Sequence, residues 1–285
     1  MSPNSPAFPA SPSSPSLSSS VGVPRRSVSA AAAWSVPVAA AVFAAPLAAA
    51  STAVPCTSTA AFVPSGAGST GGDTAVLQSV SSSGAVSTVR ITSVLAPDTT
   101  TTTRGVSYNL SQGGSGWAGT SIGRVVVEQS FSGFGPAGAL VLNQRRSGPL
   151  SEVPTPGSDA QTLTFQFFDA QGALFDPVDV RLEIFDITSV RSTSWLSSYW
   201  DAVGFSVAPT SIEKDVQSAG VGAGTIADPY RRATETEPTT EVQRTDVFSF
   251  DVLPSGSTMT YTQHDGQQGW HFIALSGLSF RATDC

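Results

Sequence analysis

Strict alternation of apolar and polar residues recurs along the second half of the chain, and it constrains the fold more than any other feature. Leu163, Phe165 and Phe167 alternate with Thr164 and Gln166, and Val180, Leu182 and Ile184 alternate with Arg181 and Glu183. The same period of two returns at Val203, Phe205 and Val207, at Phe248, Phe250 and Val252, at Met259 with Tyr261, and at Leu278 with Phe280. A period of two places one set of side chains on one face of a strand, so each segment predicts a half-buried strand. Trp270–Leu275 is apolar at both parities, which predicts a central strand covered on both faces. Fainter strand signals lie at Val89 with Ile91, Val106 with Tyr108, Val125 with Val127, and Leu140 with Leu142.

Helical periodicity is not sustained anywhere after residue 50. The best helical segment is SIEKDVQ, residues 211–217, with Ser211 as N-cap. The run Thr99–Thr103 reads as an exposed edge or loop. About ten strands at short spacing predict an all-β domain, a β-sandwich of jelly-roll type, occupying 51–285. The one stretch resembling an internal boundary is GPLSEVPTPGSD, near 148–159, where Pro and polar residues cluster.

Residues 1–50 have a different character. The first 23 are rich in Pro and Ser and lack charge, a composition that cannot bury enough apolar surface to fold. Arg25 and Arg26 then head an uncharged segment, but Pro37 and Pro46 interrupt it and most of its apolar residues are Ala. Ala48-Ala49-Ala50 supplies the small residues that a signal peptidase accepts, so an export signal fits better than a membrane span. The Arg pair resembles a twin-arginine signal. A mature chain from about Ser51, without membrane attachment after signal removal, is the resulting expectation.

The chain carries 14 Lys plus Arg against 21 Asp plus Glu, a net charge of −7. Losing Arg25 and Arg26 makes the mature part more acidic still. No basic stripe is present, which disfavours nucleic acid and anionic lipid as partners. Cys56 and Cys285 are the only cysteines and stand near the two ends of the mature chain. Outside the cytoplasm such a pair is expected to form a disulfide.

Motifs with catalytic associations fail on context. GAGSTG (66–71) and GTSIG (119–123) match dinucleotide and nucleophile-elbow patterns, yet neither is followed by a helical pattern. His264 and His271 are the only histidines and have no metal-ligand spacing around them, so each reads as a hydrogen-bonded structural residue.

Residues 182–207, LEIFDITSVRSTSWLSSYWDAVGFSV, hold the most chemistry. Asp186 shares the parity of Leu182 and Ile184, and Asp201 that of Val203 and Phe205, so both carboxylates are predicted to point coreward. Buried carboxylates need a cation, an Arg or several donors. Calcium bound by Asp186 and Asp201 with Asp176 or Asp179 is one solution, Arg191 is another, and solvated turn-capping carboxylates are the third. The intervening loop carries Trp195, Tyr199 and Trp200, read either as a ligand-stacking surface for sugar rings or as core aromatics closing the end of the sandwich. Asp228 and Arg231 are expected to pair.

The order LVLNQ (140–144), TLTFQF (162–167), LEIFDI (182–187), DAVGFSV (201–207), GAGTIADPYR (222–231) and LSGLSF (275–280) resembles exported bacterial surface proteins. Their sandwich domains carry an I-x-D-I-D … D-x-V signature, in which Thr188 here replaces the second Asp. The resemblance implies an extracellular or cell-surface sandwich without established catalysis. The sequence therefore points to a secreted, non-catalytic β-sandwich that binds polysaccharide or another surface component. A structural or adhesive surface protein is the alternative, and a secreted glycosidase using two carboxylates is a weaker one.

Overall fold

The computed structural model describes residues 56–60, 72–103, 106–107, 109–112, 120–122, 125–127, 139–146, 159–190, 199–214, 219–235, 245–264 and 270–282. All of them fall within the unit Ser51–Cys285. Arg25 and Arg26, Arg191, Trp195 and Cys285 lie outside the described residues.

The described residues are all-β, with no helix among them. The principal strands are β1 (Cys56–Ala60), β2 (Thr74–Ser81), β3 (Val86–Leu95), β4 (Leu140–Arg146), β5 (Ala160–Phe168), β6 (Val178–Phe185), β7 (Tyr199–Phe205), β8 (Ser211–Glu213), β9 (Gly220–Val221), β10 (Tyr230–Arg232), β11 (Thr245–Val252), β12 (Thr258–Gln263) and β13 (His271–Ala282). Their antiparallel ladders form one curled sheet in the order β8-β11-β6-β13-β1-β2-β3-β5-β12-β7-β10-β9, with β4 also paired to β13. Strand β13 is long enough to serve three neighbours: β4 along His271–Leu275, β6 along Ala274–Arg281 and β1 along Leu278–Ala282.

Curling brings the apolar faces of the two halves together. Leu182, Ile184, Phe248, Phe250, Ile273 and Leu275 from one side share a core with Leu77, Ile91, Leu163, Phe165, Val203 and Met259 from the other. Aromatic rings interlock edge to face, as in Phe167 with Phe280 at 5.4 Å and Phe205 with Phe250 at 5.0 Å. Burying each such side chain contributes roughly 1.5–3 kcal/mol. A second cluster of Ala139, Val141, Phe185 and Ala274 covers the other face of β4 and β13, so the stretch read as buried on both sides is so.

Some expectations need correction. Ser211–Glu213 is an edge strand on β11 and not the first turn of a helix, because Ile212 packs against the core in register with Phe248. The threonine run is exposed only in part: Thr102 is exposed, but Thr99 and Thr101 are 8% and 3% accessible, and Thr99 Oγ1 accepts the Ala160 amide. The strand signal at Val125 and Val127 holds, for Thr120–Ile122 pairs with Val125–Val127 as a ribbon, so no helix follows the G-x-S-x-G match there. The strands flanking 148–159, β4 and β5, belong to the same sheet.

Candidate functional site

Five strands carry their core-facing parity into polar residues at the same end of the curled sheet. On one side β5 is preceded by Asp159, two positions from Gln161; β12 ends in Tyr261 and Gln263; β7 contributes Asp201 two positions before Val203. On the other side Gln144 extends Leu140 and Leu142 of β4, and His271 precedes Ile273 of β13. Antiparallel pairing sets Asp201 opposite Gln263 and Gln144 opposite His271. The result is a polar layer inside the fold, with Asp159, Asp201, Tyr261, Gln144, Gln263 and His271 all 0–2% exposed.

His271 is the centre of that layer. Its Nε2 lies 2.7 Å from Asp159 Oδ2 and its Nδ1 lies 3.0 Å from Asp201 Oδ1, so both ring nitrogens face carboxylates. An imidazolium satisfies this geometry by donating from both nitrogens. Tyr261 Oη is 2.6 Å from Nδ1 and donates its own proton to Asp201 Oδ1 at 2.8 Å. Asp201 Oδ2 accepts the Thr188 amide at 3.1 Å, and Asp159 Oδ2 accepts Gln263 Nε2 at 2.8 Å.

Burial of the ring pulls the His271 pKa down, but the charge of Asp159 and the hydrogen bonds to Asp159 and Asp201 outweigh it and raise the value to about 9. Burial pushes Asp159 upward; the charge and hydrogen bond of His271 outweigh it, leaving the carboxyl below its ordinary range. Burial, then the Asp201 charge, drives the Tyr261 phenol well above its usual value. Three ionisable groups are thus fixed as carboxylate, imidazolium and neutral phenol.

A second buried ion pair adjoins the first. Arg232 forks onto Asp246 with Nη1–Oδ1 at 3.0 Å and Nη2–Oδ2 at 2.6 Å, and Tyr230 Oη donates to Asp246 Oδ1 at 2.7 Å. Arg232 Nε donates to the Ile187 carbonyl at 2.6 Å. Asp186 has a left-handed backbone, φ 69°, just before this point. Just after that turn, the single Ile187–Thr188 peptide group presents its C=O to Arg232 and its N–H, on the opposite edge, to Asp201. The Asp186–Thr188 segment therefore couples the two buried networks.

The structure distributes the residues singled out in the sequence unevenly. Asp201 is fully buried, and its donors are Tyr261, His271 and Thr188. Asp186 is half-buried, and its charge is felt at Tyr261. Asp179 stands at the other end of β6, about 23 Å along the strand from Asp186. It is ion-paired with Arg281, so a single ion held by Asp186, Asp201 and Asp179 together is ruled out by distance. Among the described residues no group of three His, Cys, Asp or Glu side chains is arranged to hold a metal ion.

Trp200 is 8% exposed, donates its indole N–H to the Arg232 carbonyl at 2.9 Å, and meets His264 edge to face. A ring so committed has no open face for a sugar, which corrects its reading as a stacking residue. Tyr199 pairs with Val190 through the backbone, while its side chain lies outside what is described, as does Trp195. Asp228 and Arg231 do pair, at 3.3 Å.

Asp159, Tyr261, Gln263, Arg232 and Asp246 were missed in the sequence, although a signal exists for the first three. Tyr261 is the last apolar core-parity residue of β12, Gln263 takes the core-parity position after it, and Asp159 continues the parity of β5 past Leu163 and Gln161.

Comparison with known protein families, curated proteins and solved structures finds no match to the chain.

Proposed function

We propose that the chain is a secreted or surface-associated, non-catalytic binding module for polysaccharide or another cell-surface component, with residues 1–50 serving export. On this reading the curled sheet is a β-sandwich of jelly-roll type, and Cys56 pairs with Cys285. The observation that carries the non-catalytic part is the enclosure of His271, Asp159, Asp201 and Tyr261. The described side chains best suited to acid–base work are sealed from solvent and matched to one another, so their chemistry holds the sheet halves together. The described outer face of β2, β3, β5 and β12, where a partner docks on this reading, carries neutral hydroxyls at Thr74, Thr92, Thr162, Thr164, Thr258 and Thr260.

Support for export comes from the Arg25-Arg26 segment and the sparse, acidic composition of the remainder. The test is a pull-down of the secreted protein on purified bacterial cell walls and insoluble polysaccharides, with calcium and with chelator. Retention on one of these surfaces is expected, and retention on none removes the binding function. Loss of retention in chelator would bring calcium back.

A further inference from the structure

We infer that the outer face of β2, β3, β5 and β12 is the polysaccharide-binding surface, its ligand an extended neutral glycan laid across the strands on rows of threonines. The inference rests on the function proposed above and gives it a location.

The rows follow from register. Thr74, Thr92, Thr164 and Thr258 are successive Cα partners on four neighbouring strands, and Val94, Thr162, Thr260 and Gly204 form the adjacent row on β3, β5, β12 and β7. All these residues have the parity opposite to Leu163, Phe165, Met259 and Tyr261, so they face away from the core. Thr162 Oγ1 and Thr260 Oγ1 are 3.4 Å apart, which brings the hydroxyls of β5 and β12 together on this face.

Strand geometry spaces the rows at about 4.7–4.9 Å between strands and about 6.6–6.8 Å between alternate residues, so the four-strand row spans about 14 Å. Each threonine offers a donor, an acceptor and a methyl group, the combination a sugar ring presents in return.

Charge selects a neutral partner. The chain has a net charge of −7, yet neither row itself contains an ionisable side chain; Asp73 accepts the Thr74 hydroxyl at 3.1 Å at the β2 end of the first row, Arg90 lies one row away with Val76 and Gln166, and Arg231 one row beyond the second with Thr262 and Ala202. On the threonines of β3, β5 and β12 an ionic ligand would find no counter-charge, and at the β2 end only that of Asp73.

The face also has a wall. A Cβ on Gly204 would sit 2.6 Å from the Thr225 carbonyl, so the backbone of the 222–229 loop lies directly on the outer side of β7 where the second row ends. Phe205 N–H donates to the Gly224 carbonyl and Ile226 N–H to the Phe205 carbonyl, which fixes the loop there. Ile226 projects from it, 50% exposed, beside the hydroxyl floor. An apolar side chain next to hydroxyl rows suits the apolar face of a pyranose.

Sheet twist decides between a chain and a lattice. Adjacent strands rotate by roughly 20–25°, so a rigid crystalline surface such as ice loses registration across four strands, whereas a glycan follows the twist by rotating about its glycosidic bonds.

The experiment measures retention of the secreted protein, and of variants, on amorphous cellulose and amorphous chitin, whose chains are free to twist, with the unfolding midpoint of each variant as a folding control. Thr164→Lys, and the hydroxyl-removing pair Thr162→Val with Thr260→Val, are expected to weaken binding at least tenfold with unfolding midpoints close to the parent. Val80→Lys, on the same outer face beyond the rows, is expected to bind as the parent does. A parent that binds while both threonine variants bind equally well overturns this location and leaves the proposed function standing. A parent that binds neither probe nor any cell wall overturns both. Self-association of the parent that Thr164→Lys abolishes, without glycan binding, identifies the face as a contact between copies and overturns the inference.

Discussion

His271 is held between Asp159 and Asp201, with Nε2 2.7 Å from one carboxylate and Nδ1 3.0 Å from the other. Each carboxylate sits on the sheet half opposite to the imidazole, so one side chain bridges the two apolar faces at their polar end. Replacing His271 with Gln leaves two buried carboxylates without their cation. Removing one partner from such an arrangement costs about 3–5 kcal/mol. The expected outcome is a fall of that size in urea-unfolding free energy; a variant within about 0.5 kcal/mol of the parent would deny the bridge its role.

Stability is expected to depend on alkaline pH through the same residue. Its pKa is raised from 6.5 in the unfolded chain to about 9 in the fold, so the folded state holds the proton more tightly. The stabilisation is complete below about pH 6.5 and is lost as pH rises through 9, amounting to about 3 kcal/mol. Thermal melts between pH 6 and 10 should show this decline in the parent and a flatter profile in His271→Gln. At the acid end the lowered Asp159 acts in the opposite sense, its contribution disappearing as pH falls through its folded pKa.

Arg232 and Asp246 form a closed pair at 0% exposure. Arg232→Met alone strands a carboxylate, and Asp246→Leu alone strands a guanidinium, each at about 3–5 kcal/mol. The double variant is expected to recover much of that loss, because no charge is left behind. A double-mutant cycle on unfolding free energies reads the coupling, and additive losses would contradict it.

Gly204→Ala is expected to destabilise by about 1–3 kcal/mol, because the new methyl collides with the Thr225 carbonyl and not with a yielding side chain. Backbone NMR shifts confined to residues near 204 and 222–229 would confirm the displacement. An unchanged spectrum would mean that the loop does not lie on β7.

The register of β1 on β13 sets Cys56 opposite Ala282, three positions before Cys285. The proposed bridge predicts no free thiol in the oxidised, secreted protein and two after reduction in denaturant. The loop-entropy account puts the stabilisation at up to about 5 kcal/mol. Two reactive thiols without reductant would rule the bridge out.

Legibility in the sequence followed the range of the interaction. Leu163, Phe165 and Phe167 announced β5 because a period of two is a local pattern, and Phe248 with Phe250 announced β11 likewise. The pairing of those strands was invisible, since register depends on partners far away in the chain. Asp201 could be turned inward by parity alone, but its companions Asp159 and His271 arrive from two other strands. Arg191 was the nearest arginine in sequence to Asp186 and Asp201, whereas Arg232 reaches the same neighbourhood through β10. Ser211–Glu213 misled because a polar edge strand and a capped helical turn share a composition. Trp200 misled because a loop-side aromatic and a core aromatic look alike until its N–H finds a buried carbonyl.

The three neighbours of β13 have a consequence for how the molecule comes into being. Thr59 and Ser279, near opposite ends of the described sequence, are paired residues. A chain threading out N-terminus first carries β1, β4 and β6 with one side open until His271–Ala282 follows, and the carboxylates of Asp159 and Asp201 meanwhile lack their proton carrier. Contacts of such long range make for slow folding. Closure is accordingly a late event, and until His271–Ala282 is in place the seam of the sheet stands open.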